Sequence, residues 1–135
     1  MDEPAKRILV ADDDQQLCTE ISEILRDEGY ATDTAFDGQS ALRLIEANRY
    51  ELCILDIKMP YVSGLEILKA VKEKKPAIAV IIATGSLNAD RFLERGGSGK
   101  SGGKNDDGAL GLADAVFTKP FDIEAILARI REFLN

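Results

Sequence analysis

The stretch Ile8-Leu9-Val10-Ala11-Asp12-Asp13-Asp14 decides the fold, because four apolar residues run without interruption into three acids. A short apolar run of this kind is typical of a strand that is buried on both faces of a sheet. Asp14 is placed to cap a following helix, in which apolar residues recur at helical spacing up to Gly29. We therefore predict a buried strand that ends in carboxylates, followed by an amphipathic helix that Gly29 closes.

The rest of the chain alternates between the same two periodicities. Further apolar runs predict four more strands, at residues 30–34, 52–55, 78–83 and 115–118. Apolar residues at helical spacing predict three more helices, one ending near residue 48, one over about 64–73 and one over 123–134. Strands that alternate with helices and are mostly apolar favour an α/β fold, with a parallel sheet covered by helices on both faces.

Residues 96–111 do not fit this alternation. They hold seven of the eleven glycines of the chain, and such a composition is typical of flexible coil. The segment lies between the fourth and fifth strands, where a helix that covers the sheet is expected. We predict that this glycine-rich insert replaces or shortens that fourth helix of the alternation, with helical turns only in residues 88–95 and 109–113.

Size and charge limit the classes of function. The 135 residues fit one domain spanning residues 1–135. A net charge of −7 argues against nucleic acid or an anionic membrane as the main partner, since phosphates would be repelled. No apolar run approaches the roughly 18 residues that span a bilayer, and the charged N-terminus does not resemble a signal peptide. The cytoplasm is therefore the expected compartment.

The cysteine and histidine content narrows the chemistry. Cys18 and Cys53 lie in apolar stretches with no CxxC spacing, so we expect two small buried residues rather than a disulfide or a zinc site. The chain contains no histidine, which excludes histidine-based triads, histidine zinc sites and phosphohistidine within this chain.

Reactive side chains follow four of the five predicted strands. The first strand ends in Asp12 and Asp13, the third in Asp56, the fourth in Thr84 and the fifth in Lys119. The carboxyl ends of parallel strands form the edge where open α/β sheets bind ligands, so we expect these side chains to converge. Three carboxylates held together need a cation, and oxygen ligands favour Mg²⁺. Such a site fits phosphoryl transfer, with Asp56 as nucleophile and with Thr84 and Lys119 contacting the phosphoryl oxygens.

At these positions the chain resembles the receiver domain of two-component response regulators. The resemblance rests on residues 8–14, on Leu55-Asp56-Ile57-Lys58-Met59-Pro60 with Gly64, on Thr84-Gly85 and on Thr118-Lys119-Pro120-Phe121. It covers nearly the whole chain outside the glycine-rich insert. It implies a flavodoxin-like, doubly wound five-stranded sheet of order 2-1-3-4-5. It also implies a phosphorylation-dependent signalling switch that catalyses only its own phosphorylation and dephosphorylation.

The resemblance further implies a role for each matching residue. Asp56 would be the phosphoacceptor, and Thr84 and Lys119 would contact the phosphoryl group. Mg²⁺ would be held by four residues: Asp13 directly, Asp12 through water, Asp56, and Lys58 through its backbone carbonyl. The donor would be a histidine kinase or a histidine phosphotransfer protein, which agrees with the lack of histidine in this chain. The downstream protein target is not implied by any residue of the chain.

The chain departs from the receiver pattern near its fifth strand. Val116 stands three residues before Lys119, where receivers commonly carry a tyrosine or phenylalanine. Alternation along a strand sends the neighbouring Phe117 to the opposite face. We therefore hypothesise that phosphorylation is reported through ordering of the loop near residues 85–113. The resemblance also implies a cis peptide bond before Pro120.

The sequence leaves two other functions open. Asp12-Asp13-Asp14 contains the D-x-D of haloacid dehalogenase-type phosphatases, with Asp12 as nucleophile, although Gln16 stands where they need threonine or valine. A pseudo-receiver would use the fold for protein interaction without phosphorylation, although such proteins usually lack an acid, the threonine or the lysine, and all are present here. We expect no output domain within residues 1–135, so the chain is a stand-alone regulator or the receiver of a longer protein.

Overall fold

The architecture is a five-stranded parallel sheet with helices on both faces. The computed structural model describes residues 4–85 and 109–135. Within them the strands are β1 (Arg7–Ala11), β2 (Ala31–Ala35), β3 (Leu52–Leu55), β4 (Ala79–Thr84) and β5 (Ala115–Thr118). The helices are α1 (Gln15–Asp27), α2 (Gly38–Ala47), α3 (Gly64–Lys74) and α4 (Ile123–Leu134). All neighbouring strands pair in parallel, in the order β2-β1-β3-β4-β5. The predicted doubly wound sheet and its strand order are confirmed.

Side chains of the central strands alternate between two hydrophobic cores, one on each face of the sheet. Leu9 and Leu55 belong to the core that α2 and α3 cover. Val10 and Ile54 belong to the core that α1 and α4 cover. All four side chains are at most 3% exposed. Burial on both faces explains why these strands read as continuous apolar runs in the sequence.

The helices begin where a side chain can cap them. Asp14 accepts a hydrogen bond from the Leu17 N–H at 3.1 Å, and Ser63 and Glu66 form a capping box at the start of α3. After α1, Gly29 adopts a φ of 104°, a conformation that favours glycine. The predicted start and stop of α1 are thereby confirmed. No helix in residues 4–85 or 109–135 has the length and apolar character required to cross a membrane.

Two strands are displaced by one residue from their predicted positions. β2 ends at Ala35 rather than at residue 34, because Ala35 pairs with Ala11 and its carbonyl accepts the Asp12 N–H at 3.0 Å. β4 includes Thr84, whose carbonyl accepts the Lys119 N–H at 2.9 Å. Partners far along the chain set these ends, so the local apolar pattern does not reveal them.

Most of the glycine-rich insert lies outside the described residues, as does the predicted helical stretch 88–95. After it the chain continues in a helical turn, in which the Leu112 N–H donates to the Ala109 carbonyl and the Ala113 N–H to the Leu110 carbonyl. Ala109 is buried in the core that α2 and α3 cover. The predicted turn at residues 109–113 is confirmed. The hypothesis of loop ordering over 85–113 falls largely on residues outside the described part.

Both cysteines are buried within the two cores. Cys18 lies in α1 and Cys53 in β3, and each has an exposed fraction of 0%. Burial raises the pKa of each thiol to about 12. The prediction that both are small buried residues is confirmed.

Candidate functional site

Three carboxylates meet at the C-terminal edge of the sheet. Asp12 and Asp13 follow β1 and Asp56 follows β3, and these two strands are neighbours in which Ala11 pairs with Leu55. The Asp56 N–H donates to the Ala11 carbonyl at 3.0 Å, which holds the two strand ends side by side. One carboxylate oxygen of each acid lies within 4.8 Å of the others. Asp12 and Asp56 are buried and Asp13 is exposed, so the cluster opens to solvent on the side of Asp13.

The ammonium group of Lys119 contacts both buried acids. Lys119 follows the edge strand β5, and its Nζ is 2.6 Å from Asp12 Oδ2 and 3.3 Å from Asp56 Oδ2. The peptide bond between Lys119 and Pro120 is cis, as the resemblance implies. The sequence predicted that Lys119 reaches this edge, but it did not predict an ion pair with both acids. The chain therefore supplies one positive charge of its own to the carboxylate cluster.

The two buried carboxylates differ in how their oxygens are hydrogen-bonded. Asp12 is bonded on both oxygens, since Oδ1 accepts the Asp14 N–H at 2.9 Å and Oδ2 accepts from Lys119. Asp56 is bonded through Oδ2, again to Lys119. Asp56 Oδ1 is buried and has no hydrogen-bond partner among the described residues. Because a buried acceptor without a donor destabilises the fold, this oxygen fits a role in binding or reaction.

Burial and opposite charge both act on the pKa values of the ion pair. Burial raises the pKa of Asp12 above its ordinary value, and the hydrogen bond from Lys119 offsets only part of this effect. Burial by itself would lower the pKa of Lys119, but the hydrogen bond and charge of Asp12 and the charge of Asp56 raise it. Lys119 therefore stays positively charged at neutral pH, the state that attracts anionic oxygens.

Thr84 lies next to Lys119 across the pairing of β4 with β5, and Lys58 lies close to Asp56 in the sequence. Thr84 is the last residue of β4 and is fully buried, and its backbone carbonyl accepts the Lys119 N–H. Lys58 is exposed and comes two residues after Asp56. Ion pairs join Lys119 to Asp12 and Asp56, and Asp13 lies near both acids. The roles of the Thr84 hydroxyl and the Lys58 carbonyl stay predictions.

The loop of residues 57–64, which joins β3 to α3, closes back onto Asp56. The Gly64 N–H donates to the Ile57 carbonyl at 2.9 Å. A Cβ at Gly64 would lie 2.1 Å from the carbonyl oxygen of Asp56, so only glycine permits this approach. Gly64 belonged to the receiver-like motif in the sequence, and its close contact with the Asp56 backbone gives the physical reason for its presence.

Tyr61 adopts a strained conformation in the same 57–64 loop. Its φ is 73°, in a region where a residue with a side chain costs about 1–2 kcal/mol. The Val62 N–H donates to the Pro60 carbonyl at 2.9 Å and closes a γ-turn around Tyr61. The side chain is 81% exposed. The sequence predicted a loop here, but no local signal predicted a tyrosine in this conformation.

The two positions near the end of β5 face opposite ways. Val116 is 40% exposed, whereas Phe117 is half-buried and packs against the core that α1 and α4 cover. The predicted alternation is confirmed. Phe117 therefore does not replace the aromatic residue that receivers commonly carry at the position of Val116.

The donor atoms of the acid cluster fit a hard divalent cation. The three candidate ligand atoms are carboxylate oxygens, which Mg²⁺ prefers. Asp56 Oδ1 adds a buried acceptor that has no donor among the described residues. Three carboxylates against the single ammonium of Lys119 leave the cluster negative, and a cation would relieve the remaining repulsion.

Known proteins resemble the chain over most of its length. The family model described as the response regulator receiver domain matches residues 8–99. The transcriptional regulatory protein DltR of Streptococcus agalactiae is 36% identical over 93% of this chain and 50% of its own length. The response regulator ArlR of Staphylococcus aureus is 34% identical over 96% of this chain and 52% of its own length. The chain thus spans about half the length of these curated relatives.

Solved structures with similar sequences share the fold. The receiver domain of a Francisella response regulator superposes with a TM-score of 0.76 at 29% identity, covering 95% of each chain. The response regulator TrrA of Thermotoga maritima, solved in complex with Mg²⁺-BeF, superposes with a TM-score of 0.76 at 32% identity, covering 96% of this chain and 99% of that one. With the family match over residues 8–99, these similarities show that the chain belongs to the response regulator receiver domains, which are signalling domains of two-component systems.

Proposed function

We propose that Asp56 accepts a phosphoryl group from a phosphorylated histidine of another protein, and that the phosphorylated chain signals by a change of conformation. The observation that carries this proposal is Asp56 Oδ1, a buried oxygen with no hydrogen-bond partner among the described residues. The other oxygen of the same carboxylate is 3.3 Å from Lys119 Nζ. A carboxylate with one oxygen unbonded and a cation beside it is suited to nucleophilic attack on phosphorus.

The transfer uses the side chains that surround Asp56. An oxygen of Asp56 forms a bond to phosphorus while the bond between phosphorus and the donor's histidine nitrogen breaks. The electron pair of that bond stays on the imidazole, which takes up a proton from water and leaves neutral. Lys119 neutralises charge on the phosphoryl oxygens, and the hydroxyl of Thr84 donates a hydrogen bond to one of them. The receiver family implies a histidine kinase or a histidine phosphotransfer protein as the donor, and the lack of histidine in this chain agrees with a donor on another protein.

Four groups of the chain would hold Mg²⁺: the carboxylates of Asp12, Asp13 and Asp56 and the backbone carbonyl of Lys58. The ion, when bound, supplies positive charge that stabilises the phosphoryl oxygens. Asp12 is fixed in orientation by the Asp14 N–H and by Lys119, and Asp13 presents its carboxylate on the exposed side. The Mg²⁺-BeF complex of TrrA, 32% identical to this chain, supports the assignment of the metal.

The two alternative functions have less support. A phosphatase with Asp12 as nucleophile would need a reactive oxygen on Asp12, but both oxygens accept hydrogen bonds, from the Asp14 N–H and from Lys119. A pseudo-receiver would have no need of an assembled acid cluster, yet the three carboxylate oxygens lie within 4.8 Å of one another. Phosphorylation on Asp56 accounts for both observations.

Labelling with acetyl phosphate tests the proposal. The chain is incubated with acetyl phosphate and Mg²⁺, digested and analysed by mass spectrometry. We expect one added phosphoryl group on the peptide that contains Asp56, and none in Asp56→Asn. Asp27→Asn is the matched control, the same chemical change at an exposed residue of α1, and it should be labelled like the wild type. Label on Asp12 would support the phosphatase, and an unlabelled wild type would support the pseudo-receiver.

A further inference from the structure

Tyr61 combines a strained backbone with a large exposed aromatic side chain. Its backbone occupies the left-handed region at a φ of 73°, which glycine or asparagine would tolerate better. Its side chain is 81% exposed and makes no hydrogen bond, ion pair or ring contact with other described residues. Strained residues of this kind persist where the surrounding structure imposes them, and they cluster at functional sites.

The surrounding backbone holds Tyr61 in place. The Pro60 carbonyl accepts two N–H groups, from Val62 within the 57–64 loop and from Gly38 at the start of α2. A Cβ at Gly38 would lie 1.8 Å from the Val62 carbonyl oxygen, so α2 packs directly against this loop. The tyrosine ring is therefore presented to solvent from a fixed backbone, which lowers the entropy that a binding partner must overcome.

The 57–64 loop borders the phosphoacceptor. Both of its ends touch Asp56, since Ile57 follows Asp56 directly and Gly64 packs on the Asp56 carbonyl. Tyr61 is three residues from Gly64, so its Cα lies no more than ~11 Å from that of Gly64, three steps of ~3.8 Å. The Asp56 side chain is only 7% exposed. A protein that brings a phosphohistidine to Asp56 must therefore approach over the loops that border this carboxylate, and the 57–64 loop is one of them.

We propose that Tyr61 is a docking contact for the histidine-phosphorylated protein that delivers the phosphoryl group to Asp56. This inference rests on the proposed function and adds the residue that recognises the donor. The occupant follows from the proposed function: the chain lacks histidine, so the donor histidine belongs to another protein and must come close to a recessed carboxylate. Tyrosine suits such a contact, because it buries a large rigid surface at low conformational cost and is enriched among residues that dominate binding energy.

The test compares a protein donor with a small donor. Purified histidine kinases are autophosphorylated with ATP, and the kinase that labels the wild-type chain fastest is used for the variants. Tyr61→Gly removes the ring and relieves the backbone strain, so the variant should melt at or above the wild-type temperature. We expect its rate of transfer from the kinase to fall at least about tenfold, while its labelling by acetyl phosphate stays within about twofold of wild type.

Two further variants serve as controls. Tyr61→Phe keeps the ring and should transfer at close to the wild-type rate. Leu112→Ala truncates an apolar residue that is 45% exposed outside the 57–64 loop, and it should also transfer normally. Wild-type transfer from the kinase to Tyr61→Gly would overturn the inference and leave the proposed function intact. Equal losses with both donors would overturn it as well, since Tyr61 would then act on the site itself. Failure of acetyl phosphate to label the wild type would instead overturn the proposed function.

Discussion

At the scale of single residues, the site balances opposite charges in a small space. Lys119 contacts two carboxylates, Asp12 and Asp56, whose side chains are each 7% exposed. Like charges this deeply buried repel one another, and the ammonium offsets part of that repulsion. The sequence predicted a metal ion in that role, and the structure adds the lysine. Lys119 therefore stabilises the folded state in addition to its proposed part in phosphoryl transfer.

Lys119→Met should lower the free energy of unfolding by about 3 kcal/mol in the absence of Mg²⁺, because removal of one partner leaves buried charges uncompensated. Urea unfolding at neutral pH measures the change. Adding Asp12→Asn should recover part of the loss, since one of the two facing acids is then neutral. Lys69→Met, at an exposed position of α3, is the matched control and should stay within about 0.5 kcal/mol of wild type. Equal stability of both lysine variants would contradict this role of Lys119.

At the scale of elements, the sequence predicted what depends on near neighbours. Asp14 and Gly29 mark the ends of α1 because helix caps act within a few residues. β2 and β4 end one residue later than predicted, since their ends are set by pairing with distant residues. The convergence of acids and lysine was predictable, because parallel strand ends share one edge. The ion pair between Lys119 and Asp12 was not, because a shared edge brings side chains near one another but does not determine which of them pair.

The junction between β3 and α3 depends on the close approach of Gly64 to the Asp56 carbonyl. Gly64→Ala should lower the free energy of unfolding by about 1–3 kcal/mol or more, because its Cβ would overlap backbone atoms that cannot move aside easily. Gly85→Ala is the matched control: its Cβ would lie 3.6 Å from the Lys119 side chain, an ordinary contact. Thermal and urea unfolding of both variants measure the difference. A Gly64→Ala variant as stable as Gly85→Ala would show that α3 can shift freely away from β3.

At the scale of the whole molecule, the chain has a negative net charge, and part of that charge is concentrated at one site. The chain carries a net charge of −7, and three carboxylates crowd one edge of the sheet. Asp13 is the exposed member of this cluster. Without a bound cation, water screens its charge, and its repulsion with the other two acids destabilises the fold only slightly. A bound divalent cation would link the folded state to the metal concentration, because the assembled cluster exists only in the folded chain.

Millimolar Mg²⁺ should raise the melting temperature of the wild type, with a stabilisation of about 2.7 kcal/mol when the free ion exceeds its dissociation constant 100-fold. Asp13→Asn should have nearly wild-type stability without Mg²⁺ and should lose most of the increase with it. Asp27→Asn, the same change at an exposed residue of α1, should keep the full increase. Thermal melts with Mg²⁺ and with matched ionic strength of NaCl separate binding from screening. An Asp13→Asn variant that responds like the wild type would remove Asp13 from the metal site.

Both thiols of this chain are sealed inside its two cores, and their pKa values of about 12 leave almost no thiolate at neutral pH. A maleimide reagent therefore meets no reactive group on the wild-type surface. A cysteine introduced at any exposed position will accept a fluorophore selectively, without prior removal of Cys18 or Cys53. Fluorescence from one labelled surface position can thus report conformational changes in real time, with both native cysteines kept in the core.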